Sequence, residues 1–432
     1  MKPRYALAAV AALTALATAV AFAGMADPKT RLVSRTSGGE PATGGSSYEA
    51  VVAANGRFVA FESNATNLPG DGSQIYVRDL DAGKTTLASR TSAGDPAEGG
   101  PSFDPAISAN GRFVAFESNA TNLPGALDVS NSQIYVRDLE QGRTRLVTRT
   151  SGGDAIVGNS DDPSISGSGR FVLFESETSD LPGGLGNEDQ VYVRDLERGK
   201  TTLASRTSGG DPATGGPSDD GSISRDGGTV AYESRATNLP GALAGTNEQI
   251  YVRDRDAGKT KLVSRNSAGE AADANNQDPV LSRNGRFVGF ESSATNLPGA
   301  GAYTQIYLRD RKRGKTSLVS KTTGGEPAAG GHSGNPSISG DGRFVAFYTD
   351  ATNLPGAGNL VTHVYVHDRE AGQTRLASRA NDGSPADADS FVARNGTALT
   401  GNARLVGFNS SATNLPGSIE PFSQVYVRGP LR

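Results

Sequence analysis

The sequence predicts an all-β protein, a seven-bladed β-propeller closed by pairing its N-terminal strand with its C-terminal blade. Three observations carry this. Gly and Pro number 56 and 22 of 432 residues, while Cys and Trp are absent; such a composition suits many short strands joined by tight turns. One motif is written seven times. Phe58, Phe113, Phe171, Thr229, Phe287, Phe344 and Leu405 hold the same place in successive copies, at spacings of 55, 58, 58, 58, 57 and 61 residues. The copies are also out of phase with the chain. It opens on a lone fourth strand, residues 30–36, and ends just after a third strand, residues 424–428. The two partial copies complete one blade. A closed ring needs that complementarity, because closure removes exposed sheet edges.

Residues 1–23 read as an export signal. Lys2 and Arg4 supply the positive start, residues 6–20 an Ala-rich apolar core, and Ala21-Phe22-Ala23 a cleavage site. Residues 24–29 read as a short linker, and residues 30–432 as the propeller, with no length left for a second domain. With no Cys, neither a disulfide nor a lipoprotein anchor is available. The formal net charge is −4, and loss of Lys2 and Arg4 makes the mature chain more acidic still. Nucleic-acid binders carry a basic excess that neutralises phosphates, so neither nucleic acid nor an acidic membrane surface is an expected partner. Only 35% of residues are hydrophobic, too few for a membrane transporter. The expectation is a monomer, secreted or periplasmic, without membrane insertion once the signal is cleaved.

Each unit divides into four strands. In the second, residues 105–108 form a short first strand. Asn110-Gly111 makes a two-residue turn, since both positions tolerate positive φ. Residues 112–118 form the second strand, 133–138 the third and, after a turn at Gly142, 144–149 the fourth. The second strand is apolar on both faces, with Phe113 and Ala115 on one and Val114 and Phe116 on the other. Such a strand must be covered on both sides, as stacked blades do. In the segment Ala120-Thr121-Asn122-Leu123-Pro124-Gly125, Leu123 is expected to plug the blade rim and the Asn side chain to satisfy backbone groups.

The turn recurs as Asn55-Gly56, Asn110-Gly111, Asp226-Gly227, Asn284-Gly285 and Asp341-Gly342. With the Arg-Phe-Val-Ala-Phe strand after it, the Ile-Tyr-Val-Arg-Asp strand and the Gly-Lys-Thr-x-Leu strand, it resembles the TolB-type, WD40-like repeat of bacterial exported proteins. The resemblance covers essentially all of residues 30–432 and implies the propeller fold and export. TolB itself carries an additional α/β domain for which this chain leaves no room, so the resemblance does not extend to TolB's own identity.

Strand order places every long loop on one face, here the top, where rigid strands can position variable loops. A carboxylate recurs just before the first strand at Glu49, Asp104, Asp162, Asp220 and Asp278, replaced by Asn335 and Gly396 in the last two copies. The first strand is innermost, so two roles are open. These side chains either ring the channel mouth, where they suit Ca²⁺ or a cationic ligand, or bond backbone amides of the next blade. The loops after Asn-Leu-Pro-Gly are not expected to bind Ca²⁺, because Gln74, Gln133, Gln190, Gln249, Gln305, His363 and Gln424 stand where an Asp is needed. Glu62, Glu117, Glu175, Glu233 and Glu291 end the second strands, and Arg35, Arg90, Arg149, Arg206, Arg265, Lys321 and Arg379 end the fourth. These are expected to pair across blades on a half-exposed rim. His363 and His367 replace Gln and Arg of other copies and read as solvated substitutions rather than a metal pair.

No Gly-x-Ser-x-Gly elbow and no phosphate-binding loop in strand-to-helix context occurs. The top loops vary most between copies. Leu127, Val129, Tyr303, Leu360, Ile419 and Phe422 are the candidate contact anchors for a partner. The expected function is a non-catalytic exported scaffold that binds a protein or a cell-envelope or extracellular polymer, with no cofactor unless Ca²⁺. One alternative is a carbohydrate-active hydrolase or lyase using top-face carboxylates; blade six comes nearest to a distinct set, with His332, Tyr348, Asp350 and His363. The other is a purely structural secreted protein.

Overall fold

The computed structural model describes residues 28–127, 131–243, 247–358, 361–394 and 397–431. The export signal and most of the linker lie outside them. Seven four-stranded antiparallel sheets form the blades. In the first blade the strands are Ser47–Val52, Phe58–Ser63, Gln74–Asp79 and Lys84–Leu87, from the channel outward. The second blade corrects two expected bounds. Its first strand is Ser102–Ile107, starting three residues earlier, and its fourth is Arg143–Leu146, ending three residues sooner.

Closure follows the repeat phase. Lys29–Leu32 pairs antiparallel with Gln424–Gly429, setting Thr30 against Arg428 and Leu32 against Tyr426. Val33 extends the pairing, donating its N–H to the Val425 carbonyl at 2.8 Å. The chain ends thus supply the fourth and third strands of one blade, and no sheet edge is left at the seam.

The core lies between blades. One apolar cluster joins Val52, Val59 and Phe61 of the first blade to Val33, Val425 and Val427 of the last. Within each blade an aromatic pair stacks across the second and third strands, from 5.6 Å between centroids for Phe61 and Tyr76 to 6.1 Å for Phe347 and Tyr365. Such pairs contribute about 0.5–1.5 kcal/mol beyond burial. The Asn-Leu-Pro-Gly segments do what the sequence predicts. Leu68, Leu123 and Leu239 are buried, and Asn67 both donates to the Pro41 carbonyl (2.9 Å) and accepts from the Thr43 N–H (2.8 Å).

The bottom of the channel is tied by a closed cycle of backbone hydrogen bonds. Asn55 donates to Ala109, Ala109 to Gly167, Gly167 to Arg225, Arg225 to Arg283, Arg283 to Gly340, Gly340 to Gly401, and Gly401 to Ala54, all within 2.9–3.2 Å. Just above it Ile107, Ile223, Leu281, Ile338 and Leu399 converge, largely buried, on a space of about 90 Å³.

Ion pairs also sit at the bottom. Arg57 meets Asp79 at 2.6 Å, and Arg112, Arg170, Arg286 and Arg343 repeat the contact with Asp138, Asp195, Asp310 and Asp368. The expected rim pairs at the top do not form among the described residues. Arg35, Arg90, Arg206 and Arg265 instead turn onto carbonyls of their own inter-blade loops, at Gly39, Gly94, Gly210 and Gly269.

Candidate functional site

The top of the channel is built by a repeated irregularity. In six blades the first strand carries a bulge: Tyr48 faces Glu62 and Val51 faces Ala60, so two residues oppose one. The bulged residue has positive φ, between 44° and 52°, at Glu49, Asp104, Asp162, Asp220, Asp278 and Asn335. For a non-glycine residue this conformation costs about 1 kcal/mol, and a bulge re-aims its side chain. Here it turns the carboxylate into the channel. The sequence placed these acids before the first strand; they lie within it.

The second-strand glutamates join the same mouth, which corrects their expected place in rim ion pairs. They make the blade-to-blade amide contacts expected of the Asp series: Glu175 accepts from the Gly221 N–H at 2.9 Å and Glu233 from the Asp278 N–H at 3.0 Å. Five adjacent blades thus present an inner and an outer acid each. So many buried carboxylates cannot all ionise. Burial, then Asp104, pushes Glu49 and Glu117 up to about 8. Burial raises Glu62 to about 7 against a hydrogen bond from Ser73, and raises Asp219 to about 7 with help from Asp220. Glu175 and Asp162 are driven well above the usual range by burial and their neighbours' charge. Oxygens of Asp161, Asp162 and Glu175 lie within 4.8 Å of one another, a donor set whose chemistry suits a hard cation.

Blades six and seven break the ring. Asn335 and Tyr348 stand where other blades have acids. Gly334 makes room for the tyrosine, since a Cβ there would lie 2.5 Å from the Tyr348 hydroxyl. In the seventh blade the first strand shrinks to Ser390–Phe391. The bulge position is Val392, not Gly396, which lies outside the described residues. The chain then brings Arg394 to the mouth, where its N–H donates to a Glu49 carboxylate oxygen at 3.0 Å. Burial opposes the Arg394 charge, but Asp278, Asp220, Asp162 and Glu49 hold it above its ordinary value. Tyr348 and Phe391 meet edge to face at 5.3 Å, and Tyr48 opposite is 42% exposed. Together with Glu49, Glu62, Asp104 and Asp389 they line a pocket of about 680 Å³.

The other sequence candidates fall elsewhere. Leu127, Tyr303, Ile419 and Phe422 are half-buried rather than exposed, and Tyr303 packs edge to face on His332 at 5.4 Å. Val129 and Leu360 lie outside the described residues. His363 and His367 are both 2% exposed, not solvated. They sit at opposite ends of one strand, roughly 13 Å apart, bonding Ser378 and Thr374 respectively. Tyr48, Phe391 and Arg394 escaped sequence reasoning. The one available signal was the 61-residue final spacing.

No protein-family model and no curated protein matches this sequence. Solved structures share its fold. Oligogalacturonate lyase in complex with manganese is similar over 93% of this chain and 96% of its own, at 12% identity and a TM-score of 0.57. The β-propeller domain of the trilobed protease from Pyrococcus furiosus, described as having an open velcro topology, covers 90% and 95% at 13% identity and a TM-score of 0.51. TolB from Acinetobacter baumannii is also among the similar structures, with 16% identity over 80% of this chain and 66% of its own, and a TM-score of 0.44. Among the described residues no helix is long and apolar enough to cross a membrane.

Proposed function

We propose that this propeller is an exported binding scaffold that takes a carbohydrate segment of an envelope or extracellular polymer in the pocket at the top of its channel. The observation that carries the reading is the break in the carboxylate ring. Where blades six, seven and one meet, Tyr48, Tyr348 and Phe391 offer flat apolar faces for sugar rings. Arg394, Asn335 and the flanking acids offer partners for hydroxyl and charged groups. Half-buried Tyr303, Ile419 and Phe422 on the same face would extend the contact. A divalent cation such as Ca²⁺ at Asp161, Asp162 and Glu175 would relieve the crowded charge, its remaining ligands being water. The test is binding of the purified protein to isolated envelope polysaccharides. Tyr348→Ala and Phe391→Ala should each weaken it at least tenfold, and Lys84→Ala on the bottom should leave it unchanged. Equal binding by all three variants overturns the proposal.

A second reading has its own support. Glu62 lines this pocket and is raised to about 7, so it can hold a proton at neutral pH and act as a general acid. A carbohydrate-active enzyme would lose turnover in Glu62→Gln while keeping its polymer affinity.

A further inference from the structure

The outer wall carries a feature of opposite sign to the channel mouth. At the seam between the second and third blades lies a groove of about 440 Å³, lined by Arg143, Arg145, Arg149 and Arg194 and by no carboxylate. The overall charge of −4 makes this local excess unexpected. Arg143 and Arg145 alternate outward on one exposed face of the strand Arg143–Leu146. Arg194 is fixed from behind, one nitrogen donating to the Thr150 carbonyl (2.8 Å) and the Thr201 hydroxyl (3.0 Å). Burial and the facing charge of Arg149 together hold it below its ordinary value.

Arg149 differs from four of its counterparts. Arg35, Arg90, Arg206 and Arg265 spend their guanidinium groups on a loop carbonyl. That of Arg149, like that of Arg379, has no such acceptor among the described residues, and its Nε, like those of Arg90, Arg206 and Arg379, is shut away from solvent without a partner. The groove between blades four and five is equally basic, with Lys261, Arg265, Arg309 and Arg311, but there Arg265 is committed to Gly269. The groove between blades three and four contains Asp195 and Asp256, which offset its cations.

We propose that the groove at the seam of blades two and three is an oxyanion site, binding phosphate, sulfate or carboxylate with Arg149 as the principal ligand and Arg143, Arg145 and Arg194 in support. Two guanidinium groups face each other with no intervening acid. An oxyanion between them satisfies the idle donors and removes the like-charge repulsion, and the planar fork of arginine matches its geometry.

The test is titration with inorganic phosphate at constant ionic strength, read by calorimetry and by the melting temperature, with chloride as control. Phosphate should bind and stabilise beyond chloride. Arg149→Gln should weaken binding at least tenfold and Arg149→Lys by a smaller factor, while Arg265→Gln leaves it unchanged. A parallel arm compares dextran sulfate with neutral dextran. Retention of the sulfated polymer alone assigns the groove to a polymer-borne group, and phosphate binding without it assigns a free oxyanion. Stabilisation by chloride equal to that by phosphate, or unaltered binding in a folded Arg149→Gln protein, overturns the proposal.

Discussion

The two ends of the central channel are made from the same inner strands, only a few residues apart, yet they are opposites. At the bottom, Ile223 and Ile338 lie in regular strand, line one apolar space and sit above a cycle of satisfied backbone groups. At the top, Asp220 and Asn335 lie in a left-handed bulge and turn polar groups toward the axis. The bottom does what stability asks. The top accepts strain in six consecutive blades and crowded charge in five of them, and strain of this kind collects where a ligand is bound.

The largest effect should come from exchanging the two environments. Ile223→Asp places a carboxylate among the apolar side chains of the bottom, with Arg225 and Arg283 lining the same space. A loss of about 3–5 kcal/mol is expected, read by denaturant unfolding. A loss below about 1 kcal/mol would mean that the bottom tolerates charge as the top does, and the contrast would fail.

Next in size is the pH dependence. Glu49, Glu62 and Glu117 have folded values of about 8, 7 and 8 against an ordinary 4.5. Between pH 4.5 and 8 the native state therefore holds more protons than the unfolded chain. Stability should fall as pH rises through that window, and go on falling above it as Glu233, raised to about 11, loses its proton. A drop in melting temperature on the order of 5 °C between pH 5 and pH 8.5 is expected. Ca²⁺ should reverse part of it at the higher pH by binding the native state alone. A flat profile would show that the acids are better solvated than their burial implies.

Glu175→Gln sharpens the same point at one residue. The amide oxygen can still accept from the Gly221 N–H, but the charge is gone. A gain of about 1–2 kcal/mol at pH 8, and none at pH 4.5, is expected, together with loss of the Ca²⁺ response. The smallest effect belongs to Arg394→Gln. Its charge is exposed and screened, so a loss under about 1 kcal/mol at pH 8 and low salt is expected, vanishing in 1 M salt.

The ring was legible in the sequence because it rests on repetition. The phase of the copies placed Leu32 beside Tyr426, and two-sided apolar strands forced stacking. The mouth was half legible. Asp104 and its counterparts recurred, so their convergence followed, but nothing in the residues between Ser102 and Ile107 announces a left-handed bulge without glycine. The seventh blade failed for a simpler reason. Counting back nine residues from Leu405, as from Phe113 to Asp104, lands on Gly396. The strand lies at Ser390–Phe391 because this copy carries extra residues, Arg394 among them. The repeat hid its own exception, and the exception holds the pocket. The charge pairs were misassigned because sign alone was matched; Arg57 and Asp79 meet at the bottom, on the diagonal of a register that sets Phe58 opposite Asp79.

The tied, apolar bottom also governs traffic. A hydrophobic constriction opposes the passage of ions, and widening it would require the hydrogen-bonded cycle to open. The propeller is therefore a blind cup rather than a conduit, with one opening for entry and exit. A polymer seated across Tyr348 and Phe391 would stopper that opening, and an ion held deeper among the carboxylates would be released only after the stopper leaves. Exchange of a radiolabelled or paramagnetic cation should slow when polymer is bound, with the two residence times rising together.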